Sequence, residues 1–279
     1  MPAKKTGFNG LTPSEWTKES RNVWADLSSP RNKFQLKHGA VFPEKLADRI
    51  IKIYTNKKDT VLDPFNGIGT TTVSAYKNGR RSIGIELNKE FYKISNEWIT
   101  SEESLLTSKN PTPLLINDDC RNLLDHVKEE SIKLSFTSPP YANFIQRSIN
   151  DREKTHKNSR IKNENNSTVK QYSKSKKDFG NLDYETFLKE LGPIFSDLLK
   201  VTVSDGYSIW VVKDYRMTPK VPYVSFHSDI AKVAQENGWL WHDLIVWDQN
   251  EQRRLVLLGY PTRFYTNQNC SFIVVFRKK

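Results

Sequence analysis

The chain has 279 residues, of which 37% are hydrophobic and 27% are charged, so it can bury one large core and is polar for a globular protein. No apolar run approaches the roughly 18 residues that span a bilayer, and no apolar signal segment follows the first lysines. We therefore expect a cytoplasmic protein with no membrane partner. The formal net charge of +11 favours a polyanionic partner, with nucleic acid as the first candidate. The only cysteines, Cys120 and Cys270, lack metal-ligand neighbours, so we expect free thiols and no metal site.

Residues 1–36 are rich in turn formers and form a predicted N-terminal arm, with Trp16 and Trp24 expected to anchor it onto the body. Through residues 37–145, segments with helical apolar spacing alternate with short apolar runs. Such alternation is typical of crossover units and a parallel sheet. The predicted helices are FPEKLADRIIKIY, GTTTVSAYKNG, KEFYKISNEWI and RNLLDHVKEE, and the predicted strands are TVLD, RSIGIEL, PLLIND and IKLSF.

The alternation stops at residues 146–180, a strongly basic insertion of low apolar content. Between Arg147 and Asp178 there are ten lysines or arginines and four acidic residues, which places a charge of +6 in one stretch. Long loops of this composition are usually functional or disordered, and lysine and arginine neutralise DNA phosphates. We expect the insertion to contact DNA, against the alternative of a solvated loop with no partner. Its candidate DNA-binding residues are Arg147, Arg152, Lys154, Arg160 and Lys162.

Regular structure returns in residues 181–279 with the amphipathic helix DYETFLKELGPIFSDLLKV, the apolar run GYSIWVV and a helix around SDIAKVAQENG. The last apolar runs, LWHDLIVW and CSFIVVF, have no helix between them, which predicts an antiparallel pair at a sheet edge. The whole pattern predicts an α/β fold, a mostly parallel and doubly wound sheet with an antiparallel edge strand.

Two strand ends carry residues that would hold a nucleoside cofactor. VLDPFNGIGTT places Asp63 at a strand end, followed by Gly67 and Gly69, so the backbone can approach a ligand closely. About twenty residues on, GIELN ends the next strand with Glu86. Its carboxylate can accept hydrogen bonds from both hydroxyls of a ribose. The third glycine of a dinucleotide fingerprint is replaced by Thr72. The two strand ends favour an adenosine-containing cofactor without a pyrophosphate-binding turn.

DPFNGIGTT, GIELN and TSPPY, in this order, resemble the motifs of the amino-group DNA methyltransferases, which use S-adenosylmethionine and have a Rossmann-like fold. KHGAVFPEKLADRII resembles the segment that closes over the cofactor in that family, and NDDCRNLL resembles its third motif. The resemblance runs from Lys37 to Tyr141 and resumes more weakly at DYETFLKEL and GYSIWVVKDYR. It implies cofactor contacts from His38, Phe42, Asp63, Phe65, Gly67, Gly69, Thr70, Thr71, Glu86 and Asp119.

Within this set, the resemblance implies three positions along the cofactor. Asp63 and the two glycines would line the methionine side, Glu86 would bind the ribose, and an acid of NDDC would contact the adenine. Asp119 is preferred over Asp118 for the adenine, because it directly precedes the Cys-Arg pair that matches the motif.

The segment TSPPYANF, which ends the run IKLSF, carries the predicted catalytic residues Ser138, Pro139, Pro140 and Tyr141. An exocyclic amino group is a poor nucleophile because its lone pair is delocalised into the base, so transfer requires positioning and acceptors for the amino hydrogens. Ser138 Oγ and the Pro139 carbonyl would be those acceptors, held rigid by the two prolines. Tyr141 would offer its ring to a base flipped out of duplex DNA.

In the family, serine at the first position of this motif is typical of cytosine-N4 enzymes and aspartate of adenine-N6 enzymes. Ser138 therefore favours cytosine-N4, with adenine-N6 as the alternative. Methylation at cytosine carbon 5 needs a cysteine nucleophile after a proline, and neither cysteine follows one. The resemblance also implies a restriction–modification or phage setting, with a separate cognate restriction endonuclease as a candidate partner.

Two rival functions remain open at this point. An RNA methyltransferase with the same cofactor and catalytic turn would also suit the basic insertion, although no separate RNA-binding module is evident. A non-catalytic nucleic-acid-binding protein is disfavoured by the intact motifs. Base-specific contacts would come from the insertion or from VWDQNEQRRLVLLGYPTRFY, which contains Arg253, Arg254 and Arg263. NQNCSF replaces the His-Glu pair that often precedes the family's last strand, which leaves the role of that segment open.

Overall fold

The structure of the protein, a computed structural model, describes residues 6–38, 41–105, 110–140, 178–216, 223–253, 255, 261–262 and 264–279. Within these residues the chain forms one sheet of eight strands. The strands are β1 (Val23–Trp24), β2 (Thr60–Asp63), β3 (Arg81–Ile85), β4 (Leu114–Ile116), β5 (Ile132–Thr137), β6 (Thr202–Val212), β7 (Leu240–Asp248) and β8 (Cys270–Arg277).

The order of the strands across the sheet is β1-β7-β8-β6-β5-β2-β3-β4. β8 is antiparallel to both of its neighbours, and the remaining pairs are parallel. The predicted fold class and the predicted antiparallel pairing of β7 with β8 are confirmed, and β1 adds two residues outside β7. The chain order reverses between β2 and β5, so a ligand crevice is expected at the carboxyl ends of these two strands.

Helices cover both faces of the sheet, as the alternation of the core residues requires. On β2, Val61 packs with α3 (Glu44–Tyr54) whereas Leu62 packs with α7 (Tyr184–Val201), because successive side chains of a strand point to opposite faces. On β6, Val211 and Val212 divide between the same two clusters. The helices are α1 (Pro13–Glu19), α2 (Lys33–His38), α3 (Glu44–Tyr54), α4 (Thr70–Lys77), α5 (Lys89–Leu105), α6 (Leu123–His126), α7 (Tyr184–Val201) and α8 (Phe226–Glu236).

Two local expectations need correction. The predicted helix RNLLDHVKEE is reduced to the four residues of α6, preceded by a 3-10 turn, because Val127 is extended and Glu130 has a φ of +49°. In the arm, Trp24 is buried and lies in β1, but Trp16 is 44% exposed and is linked to the body through Asn9, which accepts from Trp16 Nε1 at 3.2 Å and donates to the Ile53 carbonyl at 2.6 Å. The two residues of β1 are too few to show the alternation of apolar and polar residues from which a strand is recognised in a sequence.

Candidate active site

The turn between β2 and α4 lies at the reversal point of the sheet and carries the predicted methionine-side residues. Gly67 and Gly69 have φ values of +53° and +94°, a left-handed backbone that other residues rarely adopt. A Cβ on Gly69 would also collide with Ser95 Oγ, to which the Asn66 side chain donates at 3.0 Å. The glycines therefore keep a tight turn that presents its backbone at the start of α4.

The Asp63 carboxyl group connects this turn to the predicted catalytic segment. Its Oδ1 accepts hydrogen bonds from the Phe65 backbone N–H at 3.0 Å and from Thr137 Oγ1 at 2.6 Å. Burial raises the pKa of Asp63 to about 6, although its hydrogen bonds act to lower it. Because Thr137 directly precedes Ser138, a buried side-chain bond holds the ends of β2 and β5 in a fixed relation.

Glu86 directly follows β3 and bonds to the same turn. Its two carboxylate oxygens accept from the backbone N–H groups of Gly67 and Asn88, each at 2.7 Å. The residue is partly exposed, but its carboxyl group is surrounded by protein, and this burial raises the pKa of Glu86 to about 8. The nearby Asp63 carboxylate raises that pKa further. The structure thus brings together the residues predicted for the methionine side and for the ribose.

The two residues expected from the cofactor-closing segment reach the site by different contacts. His38 packs on Phe91 with ring centroids 4.4 Å apart, and its Nε2 is 3.5 Å from the position of a Cβ built on Gly67. Phe42 packs on Phe136 of β5, with ring centroids 5.1 Å apart. His38 therefore lies beside the glycine turn, whereas Phe42 contacts the strand that leads into the catalytic segment.

Both acids that follow β4 have protein partners for their carboxylates. Asp119 is buried, caps the next 3-10 turn and pairs with Arg121 at 3.0 Å. Asp118 Oδ2 lies 2.7 Å from His126 Nε2, a contact that holds the pKa of Asp118 below its usual range. The Glu86 backbone N–H donates to the last residue of β4 at 2.9 Å. Asp119 thus follows the strand next to Glu86, and its contact with an adenine stays a prediction.

The predicted catalytic segment leaves β5 beside β6, and Ser138 is bonded to that neighbouring strand. Ser138 Oγ donates to the Val211 carbonyl at 2.9 Å. A hydroxyl carries one proton, so this bond leaves the Ser138 oxygen to act as an acceptor toward a ligand. Pro139 is buried and Pro140 is partly exposed, while Tyr141 lies outside the described residues.

Phe65, Thr70 and Thr71 belong to the turn and to the first residues of α4. The Phe65 ring packs edge-on against Phe179 and Trp210, with centroids 5.4 Å and 6.0 Å away. Thr71 Oγ1 donates to a β5 carbonyl at 3.2 Å. Thr70 Oγ1 is buried and has no hydrogen-bond partner among the described residues. The cofactor contacts of all three stay predictions.

Sequence reasoning missed three residues that hold the site together: Thr137, Val211 and Phe179. Thr137 had a usable signal, since a hydroxyl at one strand end can bond the acid at the next. Val211 acts through its backbone carbonyl, which no side-chain pattern reveals. Phe179 packs on Phe65 and under the Arg121 guanidinium, whose carbon is 4.2 Å from the ring centroid.

Of the predicted DNA-binding residues, the structure describes Arg253, which is exposed just after the 3-10 turn Asn250–Gln252. In the described part of the chain, no group of three or more His, Cys, Asp or Glu residues could hold a metal ion. No helix there is both long and apolar enough to cross a membrane. The predicted DNA contacts that lie outside the described residues are Arg147, Arg152, Lys154, Arg160, Lys162, Arg254 and Arg263.

Comparison with known proteins adds a partial family match and a fold. Residues 2–97 match a family model described as DNA methylase. The type II methyltransferase M.BglI of Bacillus subtilis is 36% identical over 122 residues, which are 43% of this chain and 33% of that protein. The DNA adenine methyltransferase YhdJ of Escherichia coli is 40% identical over 90 residues, which are 31% of this chain and 30% of that protein.

A solved SAM-dependent methyltransferase from Methanosarcina mazei superposes with a TM-score of 0.50 at 12% identity, over 82% of this chain and 96% of that one. The likeness confirms the Rossmann-like methyltransferase architecture. The chain spans about a third of the length of the curated relatives that it matches. The family match contains Asp63 and Glu86 and ends before Ser138. Family and fold both agree with the predicted cofactor.

Proposed function

We propose, from a resemblance to the amino-group DNA methyltransferases that the family match supports, that this chain transfers a methyl group from S-adenosylmethionine to a base amino group in duplex DNA. The observation that carries the proposal is the buried bond from Thr137 Oγ1 to Asp63 Oδ1, at 2.6 Å. It couples the turn that would hold the cofactor to the segment that would hold the base. A methyl donor and an amino group need such a fixed relation, because alignment supplies much of the rate in group transfer.

On the cofactor side, the residues around Glu86 suit an adenosine with a charged tail. Glu86 would accept hydrogen bonds from the ribose hydroxyls. Asp63 and the glycine turn would lie beside the methionine, and Asp119 would contact the adenine. The cofactor supplies a sulfonium-bound methyl group as the electrophile. His38 would cover the turn from α2, since its imidazole lies next to Gly67.

On the target side, Ser138 would hold the amino group while its nitrogen attacks. The nitrogen lone pair would form the new bond to the methyl carbon, and the electron pair of the broken carbon–sulfur bond would stay on sulfur. The nitrogen would become positively charged and then lose a proton to solvent. Ser138 Oγ accepts one amino hydrogen, because its own proton is committed to the Val211 carbonyl, and the Pro139 carbonyl accepts the other.

Cytosine-N4 is the target that we propose, because Ser138 holds the position where the family's adenine-N6 enzymes typically carry aspartate. Adenine-N6 is the second candidate, favoured by the similarity to the DNA adenine methyltransferase of Escherichia coli. A restriction–modification or phage role, with a separate cognate endonuclease, follows the same family reasoning.

The basic insertion and the region after β7 are the proposed DNA contacts. Deletion of residues 150–175 is expected to weaken DNA binding and to flatten its salt dependence, because the deleted stretch carries many of the insertion's lysines and arginines. Unchanged affinity and an unchanged salt slope would leave the insertion as a solvated loop.

The function is tested by transfer of labelled methyl groups to duplex DNA and, in parallel, to total RNA. The expected result is label in DNA that disappears in a Ser138→Ala, Tyr141→Ala double variant that still binds the cofactor. Label confined to RNA would favour an RNA methyltransferase. Cofactor binding without any transfer would favour a non-catalytic protein.

A further inference from the structure

A second group of polar side chains lies at the same edge of the sheet as the catalytic segment, on the side away from the glycine turn. The pairing of β5 with β6 sets Thr137 opposite Trp210. Ser138 Oγ donates to the Val211 carbonyl at 2.9 Å, two residues before Lys213, which is the first residue after β6. Lys213 therefore neighbours the catalytic segment.

Lys213 is tied to the segment that precedes β8. Val212 faces Phe272 in the β6–β8 pairing, so the chain before β8 passes beside Lys213. The Lys213 ammonium donates to the Gln268 carbonyl. An ammonium has three donor hydrogens, and Lys213 forms no ion pair within the described residues. As far as the described residues show, two of its donor hydrogens thus remain for a ligand.

The Gln268–Asn269 pair adds two buried amide donors. Gln268 Nε2 and Asn269 Nδ2 are both buried, and neither has a hydrogen-bond partner among the described residues. Asn269 is 8% exposed. A buried donor without an acceptor is costly and therefore rare in folded proteins, so two adjacent ones indicate a ligand that supplies acceptors.

The electrostatics of this edge favour an anion. Burial lowers the pKa of Lys213 to about 8, and the positive charge of Arg253 lowers it further. Asp214 follows Lys213 in the chain, but its carboxylate accepts from His227 Nδ1 at 2.8 Å and from the Tyr223 hydroxyl at 3.0 Å. The Asp214 carboxylate is therefore bonded to His227 and Tyr223 rather than to Lys213. The Lys213 ammonium is available to bind an anionic ligand.

We propose that Lys213, Gln268 and Asn269 form a phosphate subsite that holds the DNA strand next to the flipped base. The inference rests on the proposed function and deepens it. A nucleotide offers amino hydrogens at one end and phosphate oxygens at the other. Ser138 and its neighbours supply acceptors for the amino hydrogens, and Lys213 with the two amides supplies donors for the phosphate oxygens. The segment NQNCSF, which lacks the family's His-Glu pair, thus binds phosphate through Gln268 and Asn269.

The lysine is tested with a matched control on the same sheet. Lys213→Ala is compared with Lys133→Ala, since Lys133 is also half-buried and donates to a backbone carbonyl, but at the opposite end of β5. DNA affinity is measured by fluorescence anisotropy over a series of salt concentrations, with cofactor affinity measured by calorimetry. Lys213→Ala is expected to lose about tenfold in DNA affinity and about 0.9 in salt slope, with unchanged cofactor affinity. Lys133→Ala is expected to change neither.

The amide donors are tested by opposing effects on stability and binding. Asn269→Leu removes a donor that lacks a partner, so the free protein should be as stable as the wild type or more stable, while DNA affinity falls. Asn237→Leu is the control, because Asn237 Nδ2 donates to the Val233 carbonyl at 2.8 Å. That variant should lose stability and keep DNA affinity.

The subsite is overturned if the wild type methylates DNA while the Lys213 and Lys133 variants share one affinity and one salt slope. A Lys213 variant with altered base preference and an unchanged salt slope would also overturn it, because the donors would then contact the base. A wild type that binds cofactor but neither binds nor methylates DNA would refute the proposed function itself, which is a different result.

Discussion

The two sides of the catalytic segment differ in how their buried polar groups are satisfied. On the cofactor side, the Asp63 and Glu86 carboxylates accept hydrogen bonds from Thr137 and from the glycine turn. On the target side, the buried amide nitrogens of Gln268 and Asn269 have no partner in the described part of the chain. The two acids of the cofactor side are thus satisfied without a ligand, although Thr70 Oγ1 on that side has no partner in the described part of the chain. The amide donors of the target side remain for a ligand. We infer that the cofactor site is preorganised, whereas the target site is completed by DNA.

The largest effect is expected for Ser138, which lies between the cofactor side and the target side. Ser138→Ala removes the proposed acceptor for the amino hydrogens and should lower the rate of methyl transfer by about 10²- to 10³-fold, with unchanged cofactor affinity. Single-turnover transfer to duplex DNA and calorimetry of the cofactor measure the two quantities. Ser135→Ala is the control, because Ser135 lies on the same strand and bonds Ser208 in the interior at 2.7 Å. Equal losses in both variants would remove Ser138 from the mechanism.

The next effect tests the preorganised cofactor side alone. Glu86→Gln keeps the shape of the side chain but loses the charged acceptor, so cofactor affinity should fall by about 10- to 100-fold. In the wild type the affinity should rise with pH up to about 8, because the ribose hydroxyls favour the charged form of a carboxyl whose pKa is about 8. Titration calorimetry between pH 6 and pH 9 measures both. A wild-type affinity that does not vary with pH would contradict the assignment of Glu86 to the ribose.

A smaller effect concerns the bond that joins the two sides. Thr137→Val removes the donor to the buried Asp63 carboxyl and should cost about 1–3 kcal/mol of unfolding free energy, as for other buried acceptors left without a partner. Thr137→Ser keeps the hydroxyl and should restore most of the stability and the transfer rate. Urea denaturation and transfer assays measure the pair. If the valine variant retained full activity, the coupling between cofactor turn and catalytic segment would be dispensable.

A further test concerns the pH dependence of the unliganded protein. Burial raises the pKa of Asp63 from 3.8 to about 6 and that of Glu86 from 4.5 to about 8. The folded protein therefore binds these protons more tightly than the unfolded chain, so these groups make unfolding easier as pH rises from about 4 to about 8. In Glu86→Gln, the part of this decline between pH 6 and pH 8 should disappear. Urea denaturation across that interval is the measurement, and the same decline in both proteins would contradict the buried state of Glu86.

The sequence predicts much of the cofactor side because its determinants are local. Asp63, the glycine turn and Glu86 lie at strand ends that hydrophobic periodicity identifies, and a parallel sheet brings strand ends to one edge. The roles of Val211 and Asn269 could not be predicted, since they depend on strand register and on which donors are left without a partner in the folded chain. The two-residue β1 is too short to show a periodic signal, and the early end of α6 depends on the backbone of Val127 and Glu130, which apolar spacing does not reveal.

The most direct test of the proposed function is incubation of the protein with labelled S-adenosylmethionine and plasmid DNA, followed by mass analysis of the nucleosides. The expected product is labelled N4-methylcytosine. Labelled N6-methyladenine would keep the amino-group mechanism and overturn the cytosine assignment from Ser138. Label on cytosine carbon 5, or no label in the DNA, would contradict the central claim.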